Sequence, residues 1–247
     1  MKISHLRIIV EEALFPAMLL FLPGLICDAR TFDPQLAAFP QARAIDGYGE
    51  LASLADMATF VLDQAPDRFD LFGHSMGGRV ALEIVRQAPA RVRRLALVST
   101  GVHGVQPGEA DKREALSRLG RDQGFAALVD RWLPPMIGEP QRDDADFRES
   151  LRTMCLAQGQ GKWEAQVAAL LGRREAESLL PQLTCPTLVM TGELDLWSPP
   201  EQHRQFTASI PDAQLVIVPG AGHMITREAP VAVNSAISRW LERPASD

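Results

Sequence analysis

Phe69-Asp70-Leu71-Phe72-Gly73-His74-Ser75-Met76-Gly77-Gly78-Arg79 is the stretch on which the fold turns. A short strand, Phe69 to Phe72, runs straight into Gly-x-Ser-x-Gly, and a helical pattern from Arg79 to Ala88 follows, closed by Pro89. Alone, the pentapeptide is a modest signal. Between a strand and a helix it acquires a mechanical meaning. A serine on so sharp a turn is forced into a strained backbone conformation, and its hydroxyl aims away from the packed sheet. Its flanking glycines are needed because a Cβ there would collide with the adjacent strand and helix. The turn also leaves the Met76 N–H at a helix N-terminus, a good place to hold an oxyanion. The bland alternative is a glycine-rich turn with an N-capping serine.

Outward from this turn, the same alternation recurs. Met18 to Leu22 is a buried strand stopped by Pro23-Gly24, and Ala42 to Ile45 a weaker one. Leu54, Met57, Ala58, Val61 and Leu62 recur at helical spacing within Leu54 to Gln64. Leu95 to Val98, Thr187 to Met190 and Leu215 to Val218 read as strands, and Pro230 opens a final helix to Leu241. Strands rich in Leu, Val and Ile on both parities are buried on both faces. The expectation is therefore an α/β, mostly parallel, doubly wound sheet covered by helices.

One segment departs from this rhythm. Residues 104–180 are charge-rich and hold no convincing strand, only helical pieces broken by Pro134-Pro135, Gly138 and Pro140. The division expected is a core of residues 1–103 and 181–247 with a helical cap or lid, 104–180, inserted between strands. Ligands bind at the carboxyl edge of such sheets, so an insertion there reads as a lid or binding element, against the plainer reading of a decorative helical layer.

A serine hydroxyl is a weak nucleophile without a base, so a histidine and an acid should exist elsewhere. His5 lies in the N-terminal arm, His74 within the turn itself, His103 at the start of the insertion and His203 on a polar helix. His223 is different. It sits in Pro219-Gly220-Ala221-Gly222-His223, directly after the last strand and so at the same sheet edge as Ser75. For the acid, Gly192-Glu193-Leu194-Asp195 follows the strand before. Asp195 is favoured over Glu193; it would accept the Nδ1 hydrogen of His223 and leave Nε2 to take the serine proton. The chain order Ser75, Asp195, His223 matches that of a strand-turn-helix nucleophile. Activity should then rise with pH as the histidine loses its proton.

Composition excludes several other classes. The chain has 247 residues, 46% hydrophobic and 23% charged, which fits one elaborated domain or two small ones and argues against a disordered chain or a membrane bundle. With a net charge of −6 and no Lys/Arg run longer than two residues, no nucleic acid partner is expected. Cys27, Cys155 and Cys185 form no C-x-x-C pair, which suggests neither a disulfide framework nor a metal site and fits a reducing, cytoplasmic setting. The uncharged run Ala13 to Cys27 is 15 residues long, too short to span a bilayer, and Glu11-Glu12 precede it where a leader would carry positive charge. It reads as a strand entering a turn, with no membrane partner.

With these residues in place, the chain resembles the α/β-hydrolase superfamily over essentially its whole length, most closely the small esterases, lactonases and C–C bond hydrolases with one helical cap. In that family a His-Gly loop after an early strand supplies the second oxyanion N–H. The matching stretch here is Leu22-Pro23-Gly24-Leu25, so the resemblance implies Leu25 N–H as partner to Met76 N–H, with Pro23 in the histidine's place and a different anchoring of the loop. Since about 17 residues precede the first strand, the edge strands that usually open the sheet should be shortened or irregular. Gly77-Gly78-Arg79 is similar to a menaquinone-pathway synthase of the superfamily, in which an arginine helps hold an anionic substrate. Arg79 has that part open to it, or that of a solvated or salt-bridged residue on a first helical turn. Trp132, Met136, Trp163 and Trp197 line an apolar substrate pocket, or else Trp132 and Trp163 only pack cap helices together. Cys27 reads as a wall residue. The resemblance implies a serine hydrolase of a small-molecule ester, thioester or lactone, without a cofactor, acting through an acyl-enzyme. A lyase or C–C bond hydrolase with the same triad, and a slow-turnover ligand sensor, are the alternatives.

Overall fold

Alternation of large apolar residues along each strand builds two cores, one on each face of a single sheet. The computed structural model describes residues 18–245. Its strands are β1 (Leu19–Leu22), β2 (Arg43–Ala44), β3 (Phe69–His74), β4 (Val92–Val98), β5 (Thr187–Gly192) and β6 (Ala213–Val218). They lie in the order β2-β1-β3-β4-β5-β6, and every neighbouring pair is parallel. Leu20, Leu22, Leu71, Leu95, Leu97 and Val189 point to one face; Leu19, Phe21, Phe72, Ala96, Val98 and Leu188 point to the other. This is the period-two geometry of a strand buried on both sides.

The first face is covered by α2 (Leu54–Leu62) and α3 (Met76–Gln87), and the second by α1 (Asp33–Ala38) together with two C-terminal helices. Ser53 caps α2 by accepting from the N–H groups of Ala55 and Asp56. Phe21 stacks on Phe32 at 4.9 Å and meets Phe72 edge-on at 5.1 Å, so three aromatic rings fill the second core near its centre.

Between β4 and β5 the described chain is helical: α4 (Glu109–Gln123), α5 (Phe125–Trp132), α6 (Glu139–Arg142), α7 (Ala145–Leu156) and α8 (Gly159–Leu171). Gly124, at φ 93°, makes the corner between α4 and α5. Then come α9 (Pro200–Thr207) after β5, and α10 (Ile225–Glu228) and α11 (Pro230–Leu241) after β6. The buried α11 Trp240 donates its indole N–H to Pro186 O at 3.1 Å, which fixes this helix against the start of β5.

Several element boundaries differ from the sequence expectation. The helix after the Ser75 turn begins at Met76 instead of Arg79, because Gly77 and Gly78 are helical and leave room for neighbouring chain. β4 begins at Val92 instead of Leu95; Arg94 is tolerated in the strand because Nη1 binds the Asp70 carboxylate at 3.0 Å and Nη2 donates to Arg243 O at 2.7 Å. β2 is only two residues long, at the sheet's edge. The irregular opening strands expected of residues 1–17 fall outside the described residues.

Candidate active site

Because the strands are parallel, their carboxyl ends open onto one edge, and four loops meet there: those after β1, β3, β5 and β6. Ser75 sits on the β3–α3 turn at φ 54°, a strained value for a residue with a side chain. Its N–H donates to Val98 O at 2.8 Å, and Thr100 Oγ1 donates to its carbonyl at 2.7 Å, so β4 holds the turn in that conformation. A Cβ on Gly77 would collide with the Leu22 carbonyl, and one on Gly73 with Gly77 and Gly78 backbone. The glycines are there because β1, β3 and α3 approach too closely for anything larger.

His223 Nε2 lies 2.9 Å from Ser75 Oγ, and His223 Nδ1 lies 3.0 and 2.9 Å from the two Asp195 oxygens. A carboxylate only accepts, so Nδ1 carries the hydrogen and Nε2 is left to accept from the serine hydroxyl. Asp195 is buried, and Oδ1 also accepts from the N–H groups of Trp197 at 2.9 Å and Ser198 at 2.8 Å. Burial alone raises its carboxyl, but the adjacent His223 and the Ser198 N–H outweigh it and hold Asp195 below the usual carboxylate range. Glu193, the rival acid, is exposed and accepts from Gly220 N at 3.1 Å.

The histidine loop is tied from outside the sheet. His223 N–H donates to Met136 O at 2.8 Å, and Glu228 Oε2 accepts from both Gly222 N and Gly138 N at 2.8 Å each. Met136 and Gly138 belong to the β4–β5 segment, so the cap helps fix where the imidazole stands. Two further histidines serve as struts. His74 Nε2 donates to His223 O at 2.8 Å, and burial pushes its pKa down to about 4, leaving a neutral ring. His203 accepts from Thr100 N at 3.3 Å and faces Pro199 O at 3.1 Å. The sequence placed His203 on a polar helix; it is fully buried, and burial likewise lowers its pKa to about 4.

The loop after β1 shows how Pro23 is accommodated. Ile26 has φ 47°, unusual for a β-branched residue, and its N–H donates to Gln166 Oε1 at 2.8 Å. Cys27 N–H closes the turn on Gly24 O at 3.2 Å. The anchor is thus a cap glutamine from α8, a residue that sequence reading missed. Its signal was faint: one amide among Trp163, Val167 and Leu170 on a buried helical face. Among the described residues, neither the Leu25 nor the Met76 N–H donates to a protein acceptor.

Above Ser75 lies a cavity of about 260 Å³, near the lower end of ligand sites, which run from about 300 to 1,000 Å³. Trp132, Met136, Trp163 and Trp197 all line it, as does Cys27. Trp132 meets Trp163 edge-on at 5.7 Å and Trp197 at 6.4 Å, and Trp163 donates to Ser117 Oγ at 2.8 Å. Trp132 and Trp163 therefore pack cap helices together and face the cavity at once. Arg79 also lines it, donating from Nη1 to His103 O at 2.8 Å. Its side chain is half-buried, and the hydrogen bond it makes is to a backbone carbonyl. Among the described residues, no group of three His, Cys, Asp or Glu is placed to hold a metal ion, and no helix is long and apolar enough to cross a membrane.

Known proteins are similar to this chain in sequence and in fold. The acetoin-cleaving system's dihydrolipoyllysine-residue acetyltransferase component from Pseudomonas putida is 30% identical over 233 residues, covering 90% of this chain and 58% of that protein. The chain therefore spans little more than half of that relative's length. A pimeloyl-[acyl-carrier protein] methyl ester esterase from Nitrosomonas europaea is 28% identical, covering 70% of this chain and 71% of the enzyme. Among solved structures, a thermophilic esterase from Thermogutta terrifontis with malate bound superposes with a TM-score of 0.84 at 27% identity, covering 93% of this chain and 91% of that one. The sequence profile of the alpha/beta hydrolase family matches residues 19–236, from the first described strand to the last helix. With its parallel doubly wound sheet and inserted helical cap, the chain belongs to the alpha/beta hydrolase family.

Proposed function

We propose that the chain is a serine hydrolase that cleaves a small carboxylic ester, thioester or lactone. One observation carries the reading: Ser75 Oγ, His223 and Asp195 form a continuous hydrogen-bonded relay at the base of a cavity. Ser75 Oγ attacks the carbonyl carbon while its proton passes to His223 Nε2. The carbonyl oxygen becomes an oxyanion held by the Leu25 and Met76 N–H groups. His223 then gives its proton to the leaving alcohol or thiol, and the acyl group stays on Ser75. Water, deprotonated by His223, attacks the acyl carbon, and the acid leaves as the serine regains its proton. Each oxyanion donor contributes about 3 kcal/mol to the transition state, so the loop after β1 matters as much as the base.

Names among the relatives support the reading, since several are methyl ester esterases. In this reading, residues 104–180 are the cap and the two flanking stretches, 1–103 and 181–247, the catalytic core. Trp132, Met136, Trp163 and Trp197 form the apolar wall of the substrate site. The three free, buried cysteines support a reducing, cytoplasmic setting.

The test is hydrolysis of p-nitrophenyl acetate and butyrate by the wild type and Ser75→Ala, with fluorophosphonate labelling of each. Turnover and labelling by the wild type alone are expected. A wild type that labels yet scarcely turns over moves the reading to the lyase or the sensor. Absence of labelling removes Ser75 as an activated nucleophile.

A further inference from the structure

Two of the three free cysteines come from distant parts of the chain and meet beside the cavity. Cys27 follows β1, two residues after Leu25, and forms part of the cavity wall. Cys155 lies near the end of α7, where it shares a buried helical face with Leu151 and Met154. The loop after β1 is bonded to the inserted helices on either side of Cys27. Before it, the Ile26 N–H donates to Gln166 Oε1 at 2.8 Å. After it, Asp28 Oδ2 accepts from Gln158 Nε2 at 2.8 Å. Arg30 Nη2 and Thr31 Oγ1 then donate to Met154 O and Sδ, each at 3.4 Å. Residues 28, 30 and 31 thus meet residues 154 and 158, and the two thiols lie in the same seam.

The Cys155 thiol is raised well above the ordinary cysteine value, first by a side-chain hydrogen bond with Cys27 and then by burial. Cys155 therefore keeps its proton and shares it with the Cys27 sulfur. The two sulfurs differ in access. Cys155 is fully buried, whereas Cys27 keeps 5% of its surface and faces the cavity, so a small reagent that enters above Ser75 reaches Cys27 first. Cys185 makes the contrast. It precedes β5 by two residues and so stands at the amino edge of the sheet, away from the cavity, and burial pushes its thiol up to about 11. In a reducing setting, a pair such as Cys27 and Cys155 is oxidised only transiently, which is how sensing thiols behave.

We propose that Cys27 and Cys155 form a modification site that hydrogen peroxide converts to a disulfide, tying α7 to the loop that carries the Leu25 N–H. The Cys27 sulfur, as thiolate, attacks one peroxide oxygen. The O–O bond breaks, leaving a sulfenic acid on Cys27 and releasing one water. The Cys155 sulfur then displaces the sulfenic oxygen: the S–S bond forms, the S–O bond breaks, and the Cys155 proton leaves with that oxygen as a second water. The two thiols together lose two electrons, and the peroxide gains them. An S–S bond is about 2.05 Å long, much shorter than the contact between two thiols, so closure draws the loop toward α7. An oxyanion donor acts within about 2.7–3.1 Å of the oxygen, so this shift lowers kcat. The modification does not depend on the serine hydrolase reading; its effect on turnover rests on it.

The test treats the wild type, Cys155→Ser and Cys185→Ser with hydrogen peroxide, alkylates each in urea with iodoacetamide, and maps the peptides by mass spectrometry. In the wild type and in Cys185→Ser, Cys27 and Cys155 are expected to resist alkylation and to appear in one linked peptide pair, which dithiothreitol separates. In Cys155→Ser, Cys27 gains oxygen instead. The proposal is overturned if both cysteines of the peroxide-treated wild type are still alkylated, if Cys27 gains oxygen without a linked pair, or if the link runs through Cys185 or between two chains. Turnover of p-nitrophenyl butyrate by the oxidised wild type is expected to fall about tenfold or more in kcat and to return with dithiothreitol. A linked pair with unchanged kcat supports the modification site and overturns its hold on the oxyanion loop. If the reduced wild type does not cleave the ester, the hydrolase reading fails and the linked pair alone decides. The pair is read in the wild type, so the test stands even where a variant does not fold.

Discussion

At the scale of single residues, the site depends on which atoms can only accept. Asp195 takes hydrogens from His223 Nδ1 and from the Trp197 and Ser198 N–H groups, and has none to give. An asparagine there would point an N–H at one of these donors or force His223 into the other tautomer, with its hydrogen on Nε2 facing Ser75. Asp195→Asn is therefore expected to lower kcat on p-nitrophenyl butyrate by roughly 10³ to 10⁴-fold with little change in KM. A loss under tenfold would remove Asp195 from the relay. Gly77 works by what it lacks. Its Cβ would run into the Leu22 carbonyl, which belongs to a fully buried strand and cannot yield. Gly77→Ala should lose about 3–5 kcal/mol in a urea unfolding titration or fail to fold; a loss below 1 kcal/mol would mean that β1 and α3 can separate.

At the scale of elements, the cap and the core hold each other's working parts. Gln166 on α8 anchors the loop that carries the Leu25 N–H, and Glu228 at the end of α10 bonds Gly138 of the cap and Gly222 of the histidine loop through one oxygen. Gln166→Leu leaves the buried Ile26 N–H without an acceptor, at a cost of about 1–3 kcal/mol. Relaxation of that loop should lower kcat tenfold or more while KM changes little, since substrate contacts elsewhere persist. Steady-state kinetics with p-nitrophenyl butyrate, beside a thermal melt, separates the two effects. An unchanged kcat would show that the loop keeps its shape without the cap.

At the scale of the whole molecule, stability should weaken toward acid. His74 and His203 are buried and neutral, with pKa values lowered by burial to about 4. The unfolded chain binds more protons than the folded one between that value and the ordinary histidine value, so stability is full above about pH 6.5 and is lost as pH falls toward 4. Each histidine contributes up to about 3 kcal/mol over that window. Glu228, whose carboxyl is raised by burial, acts in the opposite sense. Thermal melts at pH 7.5, 6 and 5 should show a falling Tm, with a shallower slope in His203→Gln. A Tm constant over this range would mean that these rings are not protonated on unfolding.

The sequence by itself determined the alternation of strands and helices, the Ser75 turn, the strand-free helical stretch between β4 and β5, and the order of serine, acid and base. These are legible because they rest on short-range sterics: two-residue periodicity, glycines at a crowded turn, and loops that follow strands. Choosing Asp195 over Glu193 was also within reach of local pattern, although only the coordinates place one beside His223 and the other in solvent. What tertiary structure alone decided lies at long separation. Gln166 meets Ile26 across 140 residues, and His203 meets Thr100 across 103. The helix start at Met76 also had to wait, because Gly77 and Gly78 read as breakers until the close approach of β1 shows why small residues stand there. Such partners are set by how the cap settles on the sheet, a packing of whole elements that residue spacing along the chain does not specify.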